Sequence, residues 1–106
     1  MTYEMAIQAL ADQRRREIFD SLRIQPRPVG ELAELHPVSR PAVSQHLKVL
    51  ETAGLVSAKK DGTKRIYAVR REGLEPLRDY IESFWTDVLD AFADEVRNEI
   101  GSKQID

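Results

Sequence analysis

The chain has 106 residues, 42% hydrophobic and 32% charged, a balance that fits one modest globular domain and excludes a disordered segment. Cysteine is absent, which excludes disulfides, thiol redox sensing and thiolate metal sites. No apolar run approaches the roughly 18 residues of a membrane helix.

The formal net charge of −2 hides a division along the chain. Residues 1–39 carry five Lys/Arg against six Asp/Glu, residues 40–71 eight against two, and residues 72–106 three against ten. The resulting local charges are −1, +6 and −7. A basic block attracts phosphate whatever the total charge, and an acidic last third would turn the opposite side of the molecule away from nucleic acid.

The opening MTYEMAIQAL lacks a basic region followed by an apolar core, so no secretory signal is expected. From Tyr3 to Asp12, Met5, Ala6, Ala9 and Leu10 share one helical face and predict a short first helix. Asp12 then reads as the cap of a second helix, about Arg14 to Arg23, with Ile18, Phe19 and Leu22 inward. Pro26 and Pro28 mark a break. A third helix, about Val29 to Leu35, is expected to turn Leu32 and Leu35 inward before His36-Pro37 closes it.

The stretch VSRPAVSQHLKVLETAG, Val38 to Gly54, carries the strongest signals. Ser39 precedes a helical pattern as a cap, Pro41 lies in the first turn where a missing N–H costs nothing, and Gly54 ends the run. Val43, Leu47 and Leu50 form one apolar stripe. The opposite face holds Arg40, Pro41, Ser44, Gln45 and Lys48, with no carboxylate until Glu51. Arg pairs with guanine, Gln with adenine, and Ser with bases or phosphates, so this face suits a DNA major groove. A merely solvated helix face is the plainer alternative. Two short helices joined by about four residues, the second with an exposed polar face, make a helix-turn-helix over about residues 29–54.

After Gly54 the period changes to two. Leu55–Lys59 and Lys64–Val69 flank Lys60-Asp61-Gly62-Thr63, and Asp-Gly between alternating residues predicts a hairpin over residues 55–70. Its tip carries Lys59, Lys60, Lys64 and Arg65 against Asp61 alone. Such a tip can be a solvated edge that resists aggregation; beside a helix-turn-helix it reads as a wing that grips phosphates or the minor groove.

The last third predicts a long helix, about Glu72 to Ile100, with Leu74, Leu77, Ile81, Phe84, Val88, Phe92 and Val96 at spacings of three and four. Trp85, Leu89 and Ile100 widen this stripe, and Pro76 suggests a short break near its start. A domain of this size cannot cover so long a stripe. Residues 74–81 are expected to pack internally, while Phe84, Trp85, Val88, Leu89, Phe92 and Val96, with Met5 and Leu10 of the first helix, meet a second copy. The alternative is a helix folded back over its own core. The expected fold is a mainly α winged helix-turn-helix of five helices with a β-hairpin wing, one dimeric domain over residues 1–106. Residues 1–12 and 72–100 would be its dimerisation helices.

Four runs of residues carry a family resemblance. Ala9-Leu10-Ala11-Asp12-Gln13-Arg14-Arg15-Arg16, Val29-Gly30-Glu31-Leu32-Ala33, Ser39-Arg40-Pro41-Ala42-Val43-Ser44-Gln45-His46-Leu47-Lys48-Val49-Leu50 and Ala53-Gly54-Leu55-Val56, in that order, resemble the ArsR (ArsR/SmtB) family of bacterial winged-helix repressors. The resemblance spans nearly the whole chain. It implies a homodimer joined by its first and last helices on a two-fold symmetric operator, with base-reading positions at Arg40, Pro41, Ser44 and Gln45.

Founding members of that family sense metals through a Cys-containing motif, or through His and carboxylates of the last helix. Here Cys is absent, and the last helix offers Asp79, Asp87, Asp90 and Glu95 but no His. Carboxylates alone do not suit zinc or soft metals. His36, at a turn, and His46, beside the apolar face of the recognition helix, are weak ligands. The chain therefore resembles the metal-independent branch, with no cofactor.

The function expected is a sequence-specific transcriptional regulator, a homodimeric repressor on an inverted-repeat operator, located in the cytoplasm of a bacterial or archaeal cell and nucleoid-associated when bound. Its partners would be double-stranded DNA and a second copy, with a small-molecule or protein effector left open and no membrane. Ser39, Ser44 and Arg40 would help place the helix on the backbone, Arg40 and Gln45 would read bases, and Lys48 completes the DNA-binding set. The alternative is a winged-helix interaction module using the acidic last helix. No nucleophile grouping or glycine-rich phosphate loop points to an enzyme.

Overall fold

The computed structural model describes the backbone of residues 2–105 and the side chains of residues 2–100. Five helices and three short strands follow in the order α1 (Tyr3–Ala11), α2 (Gln13–Ile24), β1 (Arg27–Pro28), α3 (Val29–Leu35), α4 (Arg40–Thr52), β2 (Val56–Asp61), β3 (Lys64–Val69) and α5 (Arg71–Ile105). This is the winged helix-turn-helix architecture expected from the sequence.

The helix boundaries follow from caps. The Thr2 hydroxyl accepts from the Met5 N–H at 3.3 Å to open α1. Asp12 Oδ1 accepts from the Arg15 N–H at 2.9 Å to open α2. That backbone bond holds the Asp12 carboxyl below its usual range, and the Arg15 charge adds to it. Arg15 and Arg16 then donate to the Ala9, Gln8 and Leu10 carbonyls, supplying partners to the C-terminal end of α1. Ser39 Oγ accepts from the Ala42 N–H at 3.3 Å at the start of α4. Gly54, at φ 79°, closes α4. Beyond it the Leu55 N–H reaches back to the Leu50 carbonyl at 2.9 Å, the long bond of a glycine-terminated helix.

One apolar core joins these elements. Ile18, Phe19 and Leu22 of α2, Leu32 of α3, Val43, Leu47 and Leu50 of α4, Leu55 and Val56 of the wing and Ala6 and Ala9 of α1 are all buried. No polar side chain of the described residues is buried with them. The face of α4 opposite Val43, Leu47 and Leu50 is thereby fixed outward, since three buried anchors over two turns leave it no freedom to roll.

Four expectations need correction. The Pro26–Pro28 stretch is not only a break. Arg27 and Pro28 pair antiparallel with Tyr67 and Ile66, so β3 lies between β1 and β2 in a three-stranded sheet. Leu35, expected inward, is 52% exposed. It ends α3, and the place against α2 is taken by His36, whose Nε2 lies 2.8 Å from Ser21 Oγ. Pro76 causes no break, because α5 runs unbroken through it. It falls in the second turn, and the carbonyl deprived of its donor belongs to Glu72, an exposed residue.

Ile81, expected to pack internally, is 54% exposed. Leu74 and Leu77 do pack on the core. The last intramolecular grip on α5 is aromatic: Tyr3 stacks on Tyr80 at 4.0 Å between ring centroids, and Phe84 meets the Tyr80 edge at 4.4 Å. Beyond that cluster α5 leaves the body. The radius of gyration of 20.5 Å and the 75 Å long axis follow from this projection, since a compact chain of this length has a radius near 13 Å.

Candidate DNA interface

The outward face of α4 carries Arg40, Pro41, Ser44, Gln45 and Lys48, all exposed, with the exposed Ser39 cap before them. The basic wing extends beside it. β2 and β3 pair with Lys59 opposite Ile66, Lys60 opposite Arg65 and Asp61 opposite Lys64. The turn is therefore one residue later than Asp61-Gly62 suggested. Gly62 and Thr63 form the two-residue loop, and only Gly62 has a positive φ, 63°. A glycine at the first loop position is the type II′ pattern.

Strand alternation divides the wing cations between two faces. Lys60 and Arg65 share one, while Lys59 and Lys64 share the other with Asp61. Like charges directly opposite one another destabilise a strand pair, so the Lys60–Arg65 pair is a local cost of folding. Arg65 recovers part of it by lying 6.0 Å over the Tyr67 ring.

The contrast with the other cations decides how this charge is read. Arg14, Arg23, Arg27, Arg78 and Arg97 each pair with a carboxylate of the same chain. Among the described residues, Arg40, Lys48, Lys59, Lys60, Lys64 and Arg65 take part in no ion pair. Six unpaired cations on one helix and one hairpin offer their charge to something outside the chain. Arg70 and Arg71, also in the basic block, stand at the base of the wing where α5 begins.

Two hollows border this surface. A cleft of about 720 Å³ separates the start of α4 from the wing and brings Arg40 and Ser44 together with Thr63, Lys64 and Arg65. Lys48 lies elsewhere, on a groove of about 500 Å³ between α1 and α4 lined by Met5, Ala9, Val49 and Ala53. The expected DNA-binding residues thus share a surface but not a single pocket. Gly30, Glu31, Glu34 and Thr63 line the cleft without having been singled out. Only Gly30 left a trace in the sequence, a glycine placed inside a short helix.

The histidines are separated in role. His36 bonds to Ser21, and burial lowers its pKa, with Arg14 and Arg27 acting in the same direction and Glu17 opposing them. His46 is half-buried on α4.

Comparison with known proteins agrees with this geometry. Residues 12–58 match the model of the bacterial regulatory protein, arsR family. The HTH-type transcriptional regulator Rv2034 of Mycobacterium tuberculosis is 50% identical over 96 residues, covering 91% of this chain and 90% of that protein. The chain belongs to the ArsR family. It is a DNA-binding transcriptional regulator.

A further relative, the transcriptional repressor SdpR of Bacillus subtilis, is 29% identical over 76 residues, covering 72% of this chain and 84% of that one. Among solved structures, the homodimeric winged helix-turn-helix DNA-binding domain of a possible ArsR-family regulator from Mycobacterium bovis superposes with a TM-score of 0.64. It is 27% identical and covers 83% of this chain and 82% of that one. The interaction-module reading, with the acidic helix as its docking surface, is not favoured by these relatives.

Proposed function

We propose that this ArsR-family chain is a homodimeric repressor of an inverted-repeat operator, working in the cytoplasm without a sensed metal and without catalytic activity. The observation that carries the DNA assignment is the set of six unpaired cations on α4 and the wing, set against Arg14, Arg23, Arg27, Arg78 and Arg97, which pair with carboxylates of the chain. Ser44 and Gln45 would meet base edges. Ser39 and Pro41 would set the approach of α4, and Lys48, Lys59, Lys60, Lys64 and Arg65 would hold phosphates. Two recognition helices would enter successive major grooves about 34–36 Å apart.

The free part of α5 supports the dimer. Phe84, Trp85, Val88, Leu89 and Phe92 are between 50% and 64% exposed, a row of large apolar side chains that water does not favour. Met5 is 36% exposed beside α4, while Leu10 and Val96 are half-buried. The M. bovis domain supports the same reading by being a homodimer. Metal independence is supported by the ligands themselves. The chain has no Cys, His36 is engaged with Ser21, and no group of three or more His, Asp or Glu among the described residues could hold a metal. No described helix is long and apolar enough to cross a membrane.

The test is a selection of duplex fragments by the purified chain at roughly physiological salt, with and without chelator, alongside its mass in solution by light scattering. A two-fold symmetric motif recovered equally in both arms by a dimer is the expected result. Loss of enrichment with chelator would overturn metal independence, and a monomeric mass would overturn the dimer.

A further inference from the structure

We propose that Arg40 grips a DNA phosphate and reads no base, and that Gly30 is the residue that positions it there. The proposal rests on the DNA-regulator reading above and assigns the cleft between α4 and the wing to one backbone phosphate of the duplex.

The geometry starts at Gly30. A Cβ built on Gly30 would overlap Arg40 Nη2 and stand 3.2 Å from Cζ and 3.4 Å from Nε. The guanidinium therefore rests against the backbone of α3, in space that any side chain at position 30 would fill. Arg40 thus leans toward α3 and the cleft. Ser44, four residues on, lies on the same side of α4. Gln45 is turned about 100° from Ser44, so the arginine fork and the glutamine amide do not address the same edge of a ligand.

The charge of the cleft fits a phosphate. Arg40 contributes one cation and the wing tip a second, since Lys64 and Arg65 both line the cleft but belong to opposite faces of the hairpin, with the Ser44 and Thr63 hydroxyls available as donors. Two carboxylates also line it. Glu31 is bound to Arg27 at 2.5 Å and its charge is already met; Glu34 leaves one negative charge against two positive. Neither carboxylate pairs with Arg40. An external anion carrying one charge and several acceptor oxygens completes this set, and the phosphodiester of a duplex entering between α4 and the wing is that anion.

The test compares wild type with Arg40→Ala, Arg40→Lys, Gly30→Ala and the Gly30→Ala/Arg40→Ala double variant. Each is measured by fluorescence anisotropy across a salt series, on duplexes recovered by the selection above and on their single-base-pair variants. Arg40→Ala is expected to weaken every duplex alike, by roughly tenfold, the scale of one charge-assisted hydrogen bond. The slope of log affinity against log salt should fall by about 0.9 per protomer. Arg40→Lys keeps most of that slope. Gly30→Ala, which displaces only the mobile end of an arginine and spares the fold, gives a smaller uniform loss. The double variant is no worse than Arg40→Ala, because both act through one contact.

Relaxed preference at one base pair in Arg40→Ala, with the salt slope unchanged, would overturn the proposal and return Arg40 to base reading. Full additivity of Gly30→Ala and Arg40→Ala would overturn the positioning role. Failure of the wild-type chain to bind any duplex with salt dependence would overturn the regulator reading itself, a result distinct from both.

Discussion

Replacing Gly73 by alanine tests how α5 is joined to the helix-turn-helix, because two effects of opposite sign compete there. Gly73 lies inside α5. In an exposed helix interior, exchanging glycine for alanine stabilises by about 1 kcal/mol. Here the new Cβ would overlap the Gly54 carbonyl oxygen, stand 2.6 Å from the Gly54 carbonyl carbon and 3.2 Å from the Leu55 nitrogen. All three are backbone atoms and cannot swing aside.

Gly54 is itself pinned as the residue that ends α4, and Leu55 is held on both sides. Its N–H donates to Leu50 at 2.9 Å, and its carbonyl accepts from the Arg70 N–H at 2.8 Å. Relief therefore requires α5 to lift from the turn, at the upper end of the ~1–3 kcal/mol typical of overpacking. Subtracting the helix gain leaves Gly73→Ala destabilising by about 2 kcal/mol. For a domain of this size that corresponds to a Tm lower by about 10 °C. Thermal denaturation followed by far-ultraviolet circular dichroism, at one fixed protein concentration, reads it directly. An unchanged or raised Tm would refute the close packing of α5 on the Gly54 turn.

Three further outcomes follow from particular contacts. Ser39→Ala removes the hydroxyl that accepts from the Ala42 N–H, and urea unfolding should show a loss of about 1 kcal/mol; no change would mean the cap is not formed in solution. Burial holds the His36 imidazole below its ordinary 6.5, so just under that pH the unfolded chain binds more protons than the folded one. Stability is complete above 6.5 and falls as pH drops through the lowered folded value. His36→Gln, unable to titrate, should flatten Tm against pH in that window, and an unaltered profile would exclude His36 as the source. Phe84→Glu with Phe92→Glu places charges on the free stripe of α5, where each large apolar side chain buried at a dimer contact contributes about 1.5–3 kcal/mol. Light scattering should then report a monomer with the far-ultraviolet spectrum retained, and a persisting dimer would place the contact elsewhere.

The parts of the fold that could be read ahead of the structure are those governed by local chemistry. Asp12 and Ser39 are short acceptors one residue before a helical pattern, and both cap helices as their types suggest. Gly54 ends α4 because a left-handed residue is needed there. Val43, Leu47 and Leu50 announce the buried face of α4, and with it the exposed face that carries the proposed DNA-binding residues.

What escaped depends on partners distant in sequence. Two residues, Arg27 and Pro28, cannot show an alternating pattern, so β1 becomes visible only when β3 lies beside it. Leu35 satisfies the helical spacing, but the site it would fill is occupied by His36 meeting Ser21 across 15 positions of chain. The hairpin turn shifted by one residue because strand pairing extends to Asp61 and Lys64, leaving Gly62-Thr63 as the loop. Ile81 keeps the period of α5 after the body has ended. The cleft was hidden for the same reason. Gly30 and Arg40 lie ten residues apart, and only the crossing of α3 and α4 lays one on the other.

The most direct test of the central claim, that Gln45 of α4 reads sequence and the wing holds the backbone, compares two single variants on one panel of duplexes. Gln45→Ala and Lys60→Ala are titrated against the selected site and its single-base-pair variants at several salt concentrations. Gln45→Ala should erase discrimination at one position, a change of about 1–3 kcal/mol, and leave the others intact. Lys60→Ala should weaken all duplexes alike and reduce the salt slope by about 1. Altered preference in Lys60→Ala with preference unaltered in Gln45→Ala would contradict this division of labour between helix and wing.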